Sequence, residues 1–251
     1  MHRHLALILT CLLLVDAAYS ETVYDYRVVE KRPNNRENFV QGLEINKGQL
    51  YISTGGFGTS GLQRYNFENS GHTQFVPLHQ SLFGEGVTVL KDRVYQLTWR
   101  SGRGAIYDRA SLKQIAWFTI PGQGWGLCNN GQQLIYSDGS DKLTLLSPTT
   151  LRKVSEIAVH DQGNPVQRLN ELEWIDNRIW ANVWQTERLV IIDPVSGEVT
   201  ASVDLSGLLP EHERQADTDV LNGIAYDHRK QAIWVTGKRW PWLYQIELVP
   251  Q

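Results

Sequence analysis

Five similar short sequences each begin with a residue whose side chain could take part in chemistry. These first residues are separated by 44, 40, 45 and 52 positions, and they are Gln41, Glu85, Trp125, Asn170 and Asn222. Residues that only fill a core would be small and interchangeable, but this set holds one carboxylate, three amides and an indole. A carboxylate can move a proton, and an amide both donates and accepts hydrogen bonds. The set therefore indicates a site for a small substrate with amine and amide groups.

A second apolar run follows each of these residues and ends at a nearly constant distance from it. The distance is 14 positions in four repeats and 16 in the fifth, and the runs end at Gly55, Trp99, Gly139, Trp184 and Lys238. We expect the two glycines to leave open space in the site. We expect Trp99, Trp125 and Trp184 to enclose a compact ligand and exclude water. Aromatic walls with a few polar groups are typical of small-molecule sites.

Glu85 and Lys238 are the only ionisable residues in the two sets, and we expect them to be catalytic. Apolar walls raise the pKa of a carboxyl group and a nearby ammonium lowers it, which can leave a competent proton shuttle. No Ser-His-Asp set accompanies them, and Cys128 lies in an apolar stretch that predicts a buried, inert thiol. No histidine pair has the spacing of metal ligands, so we expect neither a metal nor another cofactor.

The repeats also predict the elements that must position these residues. Units of about 40–50 residues with short apolar runs and polar turns are typical of four-stranded β-propeller blades. The fifth unit stops after its third run, but residues 24–29 alternate like a strand and can supply the fourth. The sequence thus predicts an all-β, five-bladed β-propeller in which an N-terminal strand closes the last blade. The first strand of each blade would line the axis and bring the first residues together.

The composition fits a turn-rich β protein and excludes several other classes. The chain has 251 residues, a net charge of −3, 41% hydrophobic and 20% charged residues, which is too apolar for a disordered chain. There is no basic surplus to match a phosphate backbone, so we expect no nucleic-acid partner. Nine tryptophans and 21 glycines suit strands and tight turns. All nine tryptophans lie at or after Trp99, which would suit a site with one aromatic side.

The N-terminus has the features of a secretory signal peptide. His2, Arg3 and His4 precede an apolar run over residues 5–15, and small residues at 18 and 20 suit signal-peptidase cleavage before Glu21. The run is shorter than the roughly 20 residues that span a bilayer. We therefore predict a signal peptide over 1–20, a single catalytic domain over 21–251, and an exported protein, periplasmic or secreted, without a membrane span.

Several motifs occur in an order that resembles the plant- and bacterial-type glutaminyl cyclases, also called glutamine cyclotransferases. The motifs are Phe39-Val-Gln41-Gly-Leu, Phe83-Gly-Glu85-Gly-Val, Leu97-Thr-Trp99, Gly124-Trp125-Gly-Leu, Leu169-Asn170-Glu-Leu-Glu-Trp174, Asn182-Val-Trp184, Leu221-Asn222-Gly-Ile-Ala and Thr236-Gly-Lys238. The resemblance extends from about Val23 to Leu248.

The resemblance implies a five-bladed propeller that converts the N-terminal Gln of a peptide or protein to pyroglutamate and releases ammonia without zinc. Glu85 would serve as base and then acid, and Lys238 would stabilise the oxyanion. The family's site residues would be Phe39, Gln41, Phe83, Glu85, Trp99, Trp125, Asn170, Trp184 and Lys238. Asn222 is added as a substrate-binding residue from its place in the repeat.

Two other functions remain open on the residues alone. A calcium-dependent lactonase or esterase propeller could use the same oxygen ligands, although Lys238 would repel the cation. A non-enzymatic propeller could bind a sugar or peptide by stacking on tryptophan.

Two features of the sequence each allow two structural interpretations. Glu171 and Glu173 could contact the substrate amine or neighbouring backbone, and residues 210–218 could form a short surface helix or a loop that covers the substrate.

Overall fold

The computed structural model describes residues 21–69, 71 and 73–251, and the predicted signal peptide lies outside the described residues. Within them the chain forms 22 strands and one short 3-10 helix, so the all-β prediction is confirmed. No helix in the described part is long and apolar enough to cross a bilayer. The first strand, β1 (Thr22–Pro33), is longer than the expected 24–29 and returns below as a partner of the last strand.

Three antiparallel sheets of four strands follow β1 along the chain. The first contains β2 (Val40–Asn46), β3 (Gln49–Thr54), β4 (Gly61–Asn66) and β5 (Gln74–Pro77). The second contains β6 (Gly84–Leu90), β7 (Arg93–Thr98), β8 (Arg103–Asp108) and β9 (Gln114–Thr119). The third contains β10 (Leu127–Asn129), β11 (Leu134–Ser137), β12 (Lys142–Leu146) and β13 (Lys153–Ala158).

The remaining strands form a small hairpin and a sheet of eight strands. The hairpin pairs β14 (His160–Asp161) with β15 (Asn164–Pro165). The chain then continues through β16 (Leu169–Ile175), β17 (Arg178–Val183), β18 (Arg188–Ile192), β19 (Val199–Asp204), the 3-10 helix (Glu211–Glu213), β20 (Leu221–Asp227), β21 (Ala232–Gly237) and β22 (Trp242–Pro250). In the large sheet the strand order is β16-β17-β18-β19-β1-β22-β21-β20.

Strand β1 joins the two ends of the chain and links two groups of strands. It pairs antiparallel with β22 from Tyr24 opposite Pro250 to Pro33 opposite Trp242. Its first residues also pair parallel with β19, which is why two groups of four strands become one sheet. The N-terminal strand therefore lies next to the third strand of the fifth unit, the neighbour that the sequence assigned to it.

The first strands of the five units pack against each other at the centre. Strand β2 contacts β6, β6 contacts β10, β10 contacts β16, β16 contacts β20, and β20 contacts β2. Buried apolar clusters fill the space between adjacent units; one of them packs Val40 and Ile52 against Trp234 and Leu243. Such burial is the main force that holds neighbouring sheets together. The circle of contacts brings the starts of all five first strands to one place.

The segment over 210–218 contains the short surface helix that one interpretation predicted. Two leucines just before it, Leu208 and Leu209, are buried in the core and anchor the segment. The Glu213 carboxylate pairs with Lys31 Nζ at 3.1 Å and also accepts a hydrogen bond from the Trp242 indole. These contacts fix the helix to β1 and β22, while Glu211 and His212 stay exposed to solvent.

Candidate active site

A single cavity brings together nine of the ten predicted site residues. Its volume is about 250 Å³, and its walls are formed by Phe39, Gln41, Phe83, Glu85, Trp99, Trp125, Asn170, Trp184 and Lys238. The polar members are buried, with Glu85 and Lys238 only 3% and 4% exposed, whereas the aromatic members are half-buried. The site therefore has a polar floor and an aromatic rim. We call this space the cavity below.

β-bulges turn the polar residues toward the centre of the molecule. In four units the register between the first and second strands shifts where the site residue lies. The residues left out of the ladder include Gln41, Glu85, Asn170 and Asn222. A bulge frees a residue from regular pairing and re-aims its side chain. The regular spacing of the repeats identified these positions as equivalent in the sequence. It did not predict the β-bulges.

A glycine follows the site residue in four units because the neighbouring strand comes very close. A Cβ on Gly42 would lie 2.4 Å from the backbone nitrogen of Val87, and one on Gly126 would lie 1.9 Å from the carbonyl oxygen of Asn170. No side chain fits in these gaps. In the fourth unit Glu171 occupies the equivalent place and is fully buried.

Glu171 connects three of the five units through its carboxylate. Its Oε1 accepts a hydrogen bond from the backbone N–H of Leu43 at 3.1 Å, and its Oε2 accepts one from Ile224 at 2.8 Å. Leu43 follows the bulge of the first unit, and Ile224 follows the bulge of the fifth. Of the two interpretations for Glu171, the structure therefore places it on neighbouring backbone and away from the cavity wall.

Asn222 is the one predicted site residue that the structure does not bring to the cavity wall. Its Nδ2 donates hydrogen bonds to the carbonyl of Val40 at 3.0 Å and to Gln41 Oε1 at 3.3 Å. Gln41 in turn donates from Nε2 to Glu85 Oε1 at 3.0 Å. Asn222 thus lies behind Gln41 and fixes which end of that amide faces the carboxylate. The repeat could place Asn222 on the axis but could not show which neighbour would use its amide.

The two ionisable groups of the floor are both shifted toward their neutral forms. Burial raises the pKa of Glu85 well above its usual value, and the Lys238 charge and the Gln41 hydrogen bond offset part of this rise. Burial lowers the pKa of Lys238, and the charges of Glu85 and Asp219 offset part of that fall. The Lys238 ammonium lies 5.0 Å from the centre of the Phe39 ring. A carboxyl and an ammonium that hold their charges this weakly suit proton transfer.

Two polar atoms of the cavity walls are buried without a hydrogen-bond partner among the described residues. They are the Trp125 Nε1 donor and the Asn170 Oδ1 acceptor. Buried polar atoms are normally hydrogen-bonded, and these two belong to side chains that line the cavity, where a ligand could supply the missing partners. A carboxamide supplies both, because its oxygen accepts and its nitrogen donates.

Gly55 and Gly139, which follow second strands, pack directly against aromatic rings. A Cβ on Gly55 would lie 2.3 Å from the Phe83 ring, and a Cβ on Gly139 would lie 2.7 Å from the Trp125 ring. The prediction of open space at these positions was therefore wrong. The space exists, but rings from the neighbouring segments fill it.

The aromatic rings pack mainly edge to face around the opening of the cavity. The ring centres of Phe39 and Phe83 are 6.0 Å apart, and those of Trp125 and Trp184 are 5.5 Å apart, at interplanar angles of 85° and 82°. Edge-to-face pairs of this kind stabilise each other beyond simple area burial. Rings in mutual contact lose little freedom when a ligand binds, so a substrate can pack against the rim at small entropic cost.

The described residues contain neither a metal-binding cluster nor an activated thiol. None of their His, Cys, Asp and Glu side chains form a group of three suited to a metal ion. Cys128 is buried, and burial together with nearby carboxylates raises the pKa of its thiol well above the usual value. A thiol with a raised pKa is a poor nucleophile. The polar groups that line the cavity are the carboxyl, ammonium, amide and indole groups already described.

The chain was compared with known proteins. The family model for glutamine cyclotransferase matches residues 4–248. A curated glutaminyl-peptide cyclotransferase of Arabidopsis thaliana is 37% identical over 235 residues, which cover 91% of this chain and 73% of that protein. The crystal structure of Myxococcus xanthus glutaminyl cyclase matches with a TM-score of 0.83 and 28% identity, over 92% of this chain and 100% of that chain.

A more distant match comes from a mitotic checkpoint complex. Its TM-score is 0.52 at 12% identity, over 94% of this chain and 68% of the other, so it shows a similarity of fold alone. The family match, in contrast, spans nearly the whole sequence. It confirms the resemblance that the ordered motifs indicated. The chain belongs to the glutamine cyclotransferase family.

Proposed function

We propose that the protein cyclises the N-terminal glutamine of peptides or proteins to pyroglutamate and releases ammonia, with no metal or other cofactor. The observation that carries the proposal is the buried Glu85 carboxyl, which shares one cavity with Gln41 and Lys238. In a chain of this family, these groups supply the proton shuttle and the positive charge that the cyclisation needs.

The cavity suits one glutamine residue. Its volume of about 250 Å³ is below the roughly 300–1,000 Å³ of pockets for drug-sized ligands, so a longer peptide cannot enter whole. The γ-carboxamide of the substrate would accept a hydrogen bond from Trp125 Nε1 and donate one to Asn170 Oδ1. These are the two buried atoms of the cavity walls that have no partner among the described residues. The aromatic walls would hold the side chain curled, with its amine close to its own carbonyl carbon.

Glu85 would carry the proton from the attacking nitrogen to the leaving group. The substrate's α-amino group has a pKa of about 7.7–8.0 and attacks as the neutral amine. A bond forms between the α-nitrogen and the side-chain carbonyl carbon, and the bond from that carbon to the amide nitrogen breaks. The Glu85 carboxylate takes the proton from the α-nitrogen and returns it to the departing nitrogen, which leaves as ammonia. A positioned proton carrier of this kind typically contributes about 10²–10⁴-fold in rate.

Lys238 would stabilise the negative charge that develops on the carboxamide oxygen. Its ammonium is buried, and the charges of Glu85 and Asp219 partly offset the fall in its pKa that burial causes. Donors fixed in a dry site act strongly on a developing oxyanion, and losing one typically costs about 10²–10³ in rate. We therefore expect Lys238→Met to lower kcat by at least that factor and to leave the fold intact.

We further propose that the architecture is a five-bladed β-propeller, with residues 1–20 as a signal peptide that directs export. The circle of contacts among β2, β6, β10, β16 and β20 supports five blades, and β1 would complete the fifth. The single domain would cover residues 21–251. The strongly apolar run over 5–15 supports export to the periplasm or outside the cell.

The test of the reaction is an ammonia-release assay on a peptide that begins with Gln. We expect the wild type to release ammonia from this peptide but not from the same peptide acetylated at its N-terminus, which has no free amine. The Glu85→Gln variant should lose at least about 10²-fold in kcat, because its amide cannot accept the proton. Glu156→Gln, which changes a carboxylate on an outer strand, is the control and should keep normal activity.

The same assay separates this function from the alternatives. Activity that persists after exhaustive chelation contradicts a calcium-dependent esterase. A protein that binds the peptide without releasing ammonia would instead support a binding propeller. Near-normal turnover by Glu85→Gln would contradict the role given to that residue.

A further inference from the structure

An exposed phenylalanine stands beside the cavity without lining it. The Phe57 side chain is 62% exposed, and its ring centre lies 5.4 Å from that of Phe83, a cavity residue. The other exposed large apolar residues of the described chain lie on β1, β5, β9, β13 and β22 or in the turn at Val195. An aromatic side chain left in water next to a substrate cavity is a candidate for contact with the substrate.

The loop that carries Phe57 is held in one conformation. The flanking Gly56 and Gly58 have φ values of +117° and +80°, which glycine adopts without strain. Ser60 Oγ donates to the carbonyl of Gly56 at 2.6 Å and accepts a hydrogen bond from the Gly84 N–H at 3.0 Å. The turn is thereby tied to the start of β6, one residue before Glu85. A ring displayed by a fixed turn loses little freedom when a ligand packs on it.

A strip of side chains in contact extends from Phe57 along the rim of the cavity. The Phe83 ring centre is 5.5 Å from that of Trp99, and the Arg100 guanidinium lies 3.9 Å from the centre of the Trp99 ring. Arg100 is exposed, directly follows Trp99 and has a left-handed backbone conformation. Phe57 and Arg100 are therefore the two exposed ends of a strip whose middle, Phe83 and Trp99, forms part of the cavity wall.

We infer that Phe57 forms a subsite for the side chain of the second substrate residue, and that this subsite favours peptides with an aromatic residue after the N-terminal glutamine. The inference rests on the proposed function. Because the cavity holds one residue, the peptide must leave it across the rim. A flat ring in the second position packs against the exposed Phe57 ring, because aromatic side chains stabilise each other in such pairs.

The test compares the peptide amides Gln-Phe-Ala and Gln-Gly-Ala by ammonia release. For the wild type we expect kcat/KM to be roughly 2- to 10-fold higher for the Phe peptide, the range that one aromatic contact gives. Phe57→Ala should lower this ratio, mainly through a higher KM for the Phe peptide, and Phe57→Tyr should keep it near the wild-type value. Phe75→Ala is the matched control, because Phe75 is also an exposed phenylalanine of the first sheet but lies on its outer strand. It should leave the ratio unchanged.

The possible results separate the subsite from the reaction itself. If the wild type releases ammonia from both peptides and Phe57→Ala keeps the wild-type ratio, the subsite is refuted and the proposed function stands. If the wild type releases ammonia from neither peptide, both proposals are refuted. A thermal unfolding midpoint equal to that of the wild type shows that a lowered ratio in Phe57→Ala does not come from a damaged fold.

Discussion

At the scale of single residues, burial moves the pKa values of Glu85 and Lys238 toward each other. The pKa of Glu85 is raised and that of Lys238 is lowered. The proposed reaction needs an ionised Glu85, a neutral substrate amine and a protonated Lys238. We therefore expect kcat/KM to rise with pH as Glu85 and the amine lose their protons. It should fall again as Lys238 loses its proton, at a pH below the ordinary lysine value of 10.5.

The Lys238→Arg variant tests which group gives the alkaline limb of this profile. A guanidinium stays protonated throughout the accessible pH range, so the alkaline fall should disappear even if the different shape of arginine lowers kcat. The measurement is kcat/KM for one Gln peptide from pH 5 to pH 10.5 in both proteins. An alkaline limb at the same pH in Lys238→Arg would assign it to another group.

At the scale of elements, Glu171 stands where the other repeats have glycine. Its carboxylate links β16, the first strand of the fourth unit, to β2 and β20. Glu171→Gln places an amide nitrogen where one carboxylate oxygen accepted a backbone N–H, and this leaves a buried donor without a partner. Such a loss costs about 1–3 kcal/mol of unfolding free energy. Urea unfolding measures the change, with Glu156→Gln as an exposed control that should alter stability by less than about 1 kcal/mol. A Glu171→Gln variant as stable as the wild type would show that these two hydrogen bonds are dispensable.

The sequence predicted those site residues that occupy equivalent positions in the repeat. Gln41, Glu85 and Asn170 occupy equivalent positions in units of similar length, so their convergence follows from the repeat alone. The pattern could not show that aromatic rings fill the space at Gly55, because this depends on which distant side chain reaches it. Phe57 was missed for a related reason: it is a lone aromatic residue in a glycine-rich loop and has no counterpart in the other units.

At the scale of the whole molecule, the central axis holds a group of buried carboxyls. Burial raises the pKa values of Glu44, Glu171 and Glu173, and the negative charges of Glu44 and Glu171 raise the pKa of Glu173 further. The pKa of Glu44 rises from 4.5 to about 7. Carboxyls near the surface behave in the opposite way: hydrogen bonds from their own turns lower the pKa values of Asp108 and Asp193.

These opposite shifts predict a maximum of stability in mildly acidic solution. A group with a raised pKa binds its proton more tightly in the folded state, so its contribution is complete below the unfolded pKa and is lost as pH rises through the folded pKa. For Glu44 this loss spans pH 4.5 to about 7, at about 1 kcal/mol per pH unit. The surface carboxyls contribute above their unfolded values near 3.8, and their contribution is lost as pH falls below that. The unfolding midpoint should therefore be highest near pH 5 and lower at pH 8.

Glu44→Gln tests the axial origin of this pH dependence with little change in contacts. One oxygen of Glu44 accepts both the Thr88 hydroxyl at 2.6 Å and the Val89 N–H at 2.8 Å, and a glutamine oxygen can accept the same two bonds. Only the part-buried bond that the other oxygen accepts from Asn46 Nδ2 at 3.3 Å is lost, and that loss is the same at both pH values. The variant has no proton to lose, so its stability should change less between pH 5 and pH 8 than that of the wild type. Urea unfolding at the two pH values gives the difference, and Glu156→Gln should keep the wild-type slope. Equal slopes in Glu44→Gln and the wild type would locate the effect in another buried group, because only the titrating carboxyl has been removed.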